Sequence, residues 1–269
     1  MSAQGLLAGK TAIVAGGGGA GIGARISRLL AGAGASVAVV DIEPDRATDV
    51  CAQIEAAGGA ALPVTADLRD ASAAPAILDA TLGAFGQVDA LVNVAGGMHA
   101  HAPWRPLVRW QVDDWDRIVE INLRYVFLMC RAVIPAMIER GAGGSIVNIT
   151  SISGVFGAPN HSAYGAAKAG LIHLTKSLCL ECGPHGIRCN AVSPGAVQTA
   201  AVSGAMDEQL EAVRRATPLG RAGSPDDIAQ AVLFFASPMS AYVSGQMLLV
   251  DGGVAARFPL GTPEPADGQ

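Results

Sequence analysis

The sequence is short of whatever would staple a fold, span a bilayer or attract a polyanion. Its five cysteines, Cys51, Cys130, Cys179, Cys182 and Cys189, are an odd number spread over 269 residues, which argues against a disulfide framework. Charged residues make up only 15%, the formal net charge is −5, and no basic cluster is present to meet a nucleic-acid backbone. The first ten residues lack the charged start and long apolar run of a signal peptide, and no uninterrupted apolar stretch reaches the length of a membrane span. A cytoplasmic protein with no membrane or nucleic-acid partner is therefore expected. Metal-like spacings are few. Cys179-Leu-Glu-Cys182 has His185 and Cys189 nearby, but Cys179 falls on an apolar helical face and Cys189 in a buried strand. His99 and His101 have no evident third ligand, so no metal is expected.

What the chain does have is 51% hydrophobic residues, 34 glycines and a regular alternation of short apolar runs with longer helical patterns. The spacing predicts strands at 11–15, 36–40, 61–65, 90–94, 145–150, 188–192 and 247–250. Helices are predicted at 22–33, 45–57, 71–85, 113–140, 161–183 and 225–236, the last with Pro225 at its first position after Ser224. Strands that are apolar throughout belong to a parallel sheet buried on both faces. The expectation is an α/β fold: one Rossmann-type, doubly wound parallel sheet of about seven strands with helices on both faces, over residues 1–258. The polar, proline-rich 259–269 reads as a tail.

Three groups carry chemistry. Gly16-Gly-Gly-Gly-Ala-Gly-Ile-Gly23 lies between the first strand and its helix, where glycines let the backbone approach a pyrophosphate at a helix N-terminus. Asp41 ends the second strand, where a carboxylate can bind an adenosine ribose and repel a 2′-phosphate by about 4 kcal/mol per unit charge. That points to NAD over NADP. Tyr164 and Lys168 are four residues apart, on one face of the predicted helix. An ammonium there is expected to lower the phenol pKa; three units would take roughly 4 kcal/mol and fit the phenol for proton exchange near neutral pH.

With these residues in register, the chain resembles the short-chain dehydrogenases/reductases of compact, single-domain type, from about Leu7 to Gly253. The resemblance assigns the glycine motif to Gly17, Gly21, Ile22 and Gly23, with Gly16 in place of the usual threonine and Ala20 in place of a frequent serine. It places Ile42 beside Asp41, sets Asp67 with Leu68 at the adenine, and matches Asn93-Val-Ala95-Gly96 to the segment supporting the sheet and cofactor wall. Pro194, Gly195, Val197 and Thr199 match the segment at the nicotinamide. It implies a catalytic set of Asn122, Ser151, Tyr164 and Lys168. Tyr164 is the acid/base, Ser151 the donor to the substrate oxygen, Lys168 the pKa-lowering and ribose-holding cation, and Asn122 the holder of a relay water. Ser153 is two residues too close to Tyr164 to be the catalytic serine.

The substrate is framed by 97–110, longer than usual for the family, and by the 200–217 lid. Ser153, His99, His101, Asn160, Val202 and Met206 are the candidate lining, and His161 lies close by. The expected reaction is NAD-dependent oxidation of an apolar secondary alcohol, cyclic or steroid-like, or reduction of the ketone. Reduction of a 3-oxoacyl thioester is the alternative, and a cofactor-binding scaffold the non-enzymatic one. The resemblance also implies a homotetramer.

Overall fold

The computed structural model describes residues 5–98, 101–198 and 207–256. Seven strands form one parallel sheet: β1 (Thr11–Ala15), β2 (Ser36–Asp41), β3 (Ala60–Thr65), β4 (Ala90–Asn93), β5 (Gly144–Ile149), β6 (Ile187–Pro194) and β7 (Met247–Val250). Their order is β3-β2-β1-β4-β5-β6-β7. The winding therefore reverses between β1 and β4, and a crevice opens beyond the carboxyl ends of these two strands.

The helices are α1 (Ile22–Gly32), α2 (Pro44–Ala56), α3 (Ala73–Phe85), α4 (Val112–Val119), α5 (Tyr125–Arg140), α6 (Ser162–Cys182), α7 (Asp207–Ala216) and α8 (Pro225–Ala236). Along β1, successive side chains enter opposite layers. Val14 packs with Ile26 and Leu30 of α1 and Val232 of α8, whereas Ile13 packs with Tyr125, Met129 and Val133 of α5 and Leu171 of α6. Both faces are buried, which is why the strands carry no polar alternation. The start of α8 is fixed by a capping box: Ser224 accepts from the Asp227 amide, and Asp227 accepts from Ser224.

Two departures from the predicted elements matter. The single helix expected over 113–140 is interrupted by a wide turn at Glu120–Arg124, a five-residue π segment that holds Asn122. And Asp207–Ala216, expected only as part of a lid, is a helix. The run 112–140 is long and apolar enough by length and composition to cross a membrane. Its apolar side chains, including Tyr125, Met129, Val133 and Met137, are however packed into the sheet's core.

A third, smaller apolar cluster lies outside both layers. Met98, Ala102 and Ile118 join Ala163 of α6, with Trp110, Trp115 and Tyr164 packed against them. The extended segment after β4 thus folds onto the start of α6. It is fastened by Arg105 and Arg117, both paired to Asp114 at 3.2 and 3.5 Å, and by the Trp110 indole donating to the Arg105 carbonyl at 2.9 Å.

Candidate active site

The crevice beyond β1 and β4 is a cleft of about 640 Å³. Its floor is glycine backbone. A Cβ on Gly23 would collide with the Gly16 carbonyl, and one on Gly18 would lie 2.7 Å from an Asp41 carboxylate oxygen. No side chain caps the N-terminus of α1, so its first-turn amides face the cleft with the dipole's positive end. Asp41 reaches the cleft with one oxygen facing Gly18; the other accepts from the Glu43 amide at 3.1 Å. A glycine cradle, an uncapped helix end and a carboxylate at the end of β2 suit a dinucleotide.

Gly21, Ile22, Gly23, Asp41, Ile42, Asp67, Leu68, Ala95 and Gly96 all line this cleft. Gly17 does not: its Cα faces Ser27 of α1, whose hydroxyl donates to the Gly17 carbonyl at 3.1 Å, and Gly16 and Gly18 take the lining positions. Asn93 is also withdrawn. It is fully buried and donates to Asn148, which donates to Thr175, so this chain ties β4 and β5 to α6. Asp67 is in place but engaged. Arg69 grips both its carboxylate oxygens at 2.6–3.1 Å and holds its pKa below the usual carboxylate range. Arg69 and Arg46 line the cleft too and escaped the sequence reading; only the Asp-Leu-Arg spacing of 67–69 hinted at the first.

Deeper in, Ser151, Tyr164 and Lys168 come together. Ser151 follows β5, and its hydroxyl oxygen accepts from the Ser153 amide at 3.1 Å. The hydroxyl proton is then left to donate, and Ser151 is near enough to the Tyr164 phenol to favour its ionised form. Close packing sets this register: a Cβ on Gly165 would lie 2.9 Å from the Ser153 carbonyl, and one on Gly154 2.7 Å from the Lys168 backbone. Lys168 is buried and donates to the carbonyl of Ile149, a cleft-lining residue, at 2.9 Å.

The electrostatics reverse one expectation. Burial pushes the Tyr164 phenol above its ordinary value, opposed by the nearby Ser151 hydroxyl, while burial pulls Lys168 down to about 7. Desolvation sets both directions, because it disfavours phenolate and ammonium alike.

Asn122 turns its side chain inward. It donates to the carbonyls of Gly97 and Ile118 and accepts from the Gly97 amide, all at 2.9 Å. It thereby clamps the β4 loop to the π segment. Near β7, Gly195 packs on Asp251, and Val197 bridges Gly223 through its neighbours' Ala196 carbonyl and Gln198 amide. The bridge leaves Val197's own peptide groups on the opposite edge.

The pattern of a family described as enoyl-(acyl carrier protein) reductase matches residues 17–255. The 3β-hydroxysteroid dehydrogenase 1 of Eggerthella lenta is 38% identical over 252 residues, 92% of this chain and 94% of its own. The 3-oxoacyl-(acyl-carrier-protein) reductase FabG of Thermotoga maritima is 35% identical, covering 92% of this chain and 98% of its own. A solved 7α-hydroxysteroid dehydrogenase, complexed with NADH and 7-oxo glycochenodeoxycholic acid, superposes with a TM-score of 0.87 at 36% identity, over 94% of this chain and 97% of its own.

The chain belongs to the short-chain dehydrogenase/reductase family.

On the substrate side the structure redistributes the candidates. Ser153 lies beside Ser151 with its hydroxyl 3.3 Å from His161 Nδ1. Asn160 takes the left-handed turn before α6, φ 66°. His101 sits on the cofactor cleft rather than beside Tyr164, and burial, Arg69 and Arg117 lower its pKa. His99, Thr199, Val202 and Met206 lie outside the described residues, as does 259–269. No cluster of three or more metal-ligating side chains occurs among the described residues.

Proposed function

We propose that the protein is an NAD-dependent dehydrogenase of an apolar, ring-bearing secondary alcohol, with ketone reduction as the reverse reaction. The observation that carries this is the neighbouring Ser151, Tyr164 and Lys168, with the Lys168 Nζ 5.6 Å from the phenol ring, beside a glycine-floored cleft that ends at Asp41.

Gly18, Ile22, Asp41, Asp67, Gly96 and Val197 would hold the dinucleotide; when bound, its nicotinamide supplies or accepts the hydride. Asp41 favours the free 2′-hydroxyl of NAD. The guanidinium of Arg69, flattened against Asp67, offers a plane for the adenine. In oxidation the Tyr164 phenolate takes the substrate hydroxyl proton; in reduction the phenol gives it to the substrate oxygen. Ser151 donates to the substrate oxygen as charge gathers there. Lys168, near-neutral in pKa, can pass the proton onward, and Asn122 holds the loop that closes this route. With the phenol proton gone, a protonated Lys168 is favoured beside it, so phenolate and ammonium form a buried ion pair in which each stabilises the other.

The steroid dehydrogenase relatives support a ring-bearing substrate, and Trp104, Val155 and Phe156, each near half exposed, supply an apolar surround. A 3-oxoacyl thioester reductase is the second reading, favoured by the Thermotoga relative. It would call for NADPH and a basic docking patch, which Asp41 and the net charge of −5 oppose. We assign the cytoplasm, which the five free thiols suit. We also assign a homotetramer, in which the half-exposed Phe127 of α5 and exposed Leu180 of α6 would be covered; mass measurement in solution tests it.

A panel of cyclic and linear alcohols, and of 3-oxoacyl thioesters, assayed with NAD(H) and NADP(H), tests the function. Oxidation of ring alcohols with NAD is expected. Efficient thioester reduction with NADPH alone would replace the first reading by the second.

A further inference from the structure

Beside the Ser151–Tyr164 pair lies a polar group that proton transfer does not require. His161 closes the turn before α6, set there by the left-handed Asn160. Its Nδ1 lies 3.3 Å from the Ser153 hydroxyl, and the Ser153 amide holds the Ser151 hydroxyl. The imidazole is wedged edge-on between Trp104, with ring centres 3.9 Å apart, and Tyr164, 6.2 Å away. The serine–histidine pair is thus coupled to both groups that meet the reacting oxygen: Ser153 through its amide, His161 through its ring one helical turn before Tyr164.

The Ser153 hydroxyl can both donate and accept. Whichever ring nitrogen carries the proton, the Ser153 hydroxyl keeps either a proton or a lone pair to offer. Arg105 and Arg117 of the adjoining segment both pair with Asp114. Such a group suits a neutral hydroxyl or carbonyl, not a carboxylate or phosphate. The exposed side chains around it are apolar: Trp104 is 47% exposed, Val155 43% and Phe156 48%.

We propose that Ser153 and His161 form a second oxygen-binding station, so that the substrate is a ring-sized, largely apolar diol or hydroxy ketone. One oxygen reacts at Ser151 and Tyr164. The other is held by the Ser153 hydroxyl, which His161 orients through its Nδ1, with Trp104 packed on the ring carbons. This rests on the dehydrogenase reading and narrows its substrate class.

Cyclohexanol and its 1,2-, 1,3- and 1,4-diols test it in two ways. The first is kcat/KM with NAD. The second is binding in the presence of NADH, read from intrinsic fluorescence. The chain's 3 tryptophans, Trp104, Trp110 and Trp115, all lie in the segment that folds over the site, so the signal is local. The wild type should favour at least one diol over cyclohexanol by about tenfold or more in both readouts. Ser153→Ala and His161→Phe, which keeps the ring stack, should each lower that ratio by roughly fivefold or more. A wild-type ratio near one for every diol overturns the proposal. So do variants that scale diol and cyclohexanol alike, because the pair would then only shape Ser151 and Tyr164. If no alcohol is oxidised at all, the dehydrogenase reading fails, while the fluorescence ratio still decides whether the station exists.

Discussion

Lys168 stands one helical turn beyond Tyr164, its Nζ 5.6 Å from the centre of the phenol ring and 2.9 Å from the Ile149 carbonyl. Each group is buried, and each resists its charged form: the lysine falls to about 7 and the tyrosine rises. The linkage sign follows. An unfolded lysine titrates near 10.4, so between about pH 7 and pH 10 the unfolded chain binds more protons and stability gains with pH.

Lys168→Met keeps the length and apolar packing of the side chain but removes that titration. The stability difference, wild type minus variant, should become more favourable to the wild type as pH rises from 7 to 9. The variant should be at least as stable as the wild type near pH 7, yet nearly inactive. Urea midpoints at pH 7, 8 and 9, paired with turnover, check this; a pH-independent difference would show that the buried amine does not titrate there.

Asp41 should set cofactor choice. Replacing it by alanine removes a repulsion of up to about 4 kcal/mol toward a 2′-phosphate. Arg46, exposed on the same cleft, is positioned to meet that phosphate. The ratio of kcat/KM for NAD over NADP should fall by about a hundredfold or more. An unchanged ratio would remove Asp41 from the ribose.

Asn122→Ala should cost stability before it costs chemistry. Three hydrogen bonds vanish and both Gly97 peptide groups lose a buried partner, a loss of about 2–4 kcal/mol. Because Gly96 lines the cofactor cleft, affinity for NADH should weaken as well. A thermal shift assay with and without NADH separates the two effects.

Asp227 anchors the start of α8 through Ser224 and a bidentate pair with Arg221 at 2.7 and 2.8 Å. The Arg221 hydrogen bonds hold its pKa well below the usual carboxylate range. Its contribution is therefore present above about pH 4 and lost as pH falls through the folded value. Asp227→Ala should lower stability by about 1–2 kcal/mol at pH 7 and narrow the gap to the wild type in acid. Urea melts at pH 7 and pH 3 give the comparison.

Strands were the most legible part of the fold, because burial on both faces removes polar residues from them; β1 and β7 coincide with the predicted 11–15 and 247–250. Ser151 and Tyr164 are near one another because the turn after β5 meets α6 through the tight Gly154 and Gly165 contacts, which spacing and resemblance anticipate. The π segment at 120–124 was not legible: no proline or glycine marks it, and its cause is the tertiary clamp between Asn122 and Gly97. Nor was the direction of the Tyr164 shift, because helical spacing shows that a cation is near but not that both groups are desolvated. Gly17 and Asn93 illustrate a further limit. A motif identifies residues the site depends on without separating those that face the ligand from those that hold the sheet behind it.

The most direct test is Tyr164→Phe, measured for both NADH binding and alcohol oxidation. Binding should stay within a few-fold of wild type, while turnover falls by about a thousandfold or more. A variant that oxidises alcohols at near the wild-type kcat would contradict the assignment of the Tyr164 hydroxyl as the group that moves the proton.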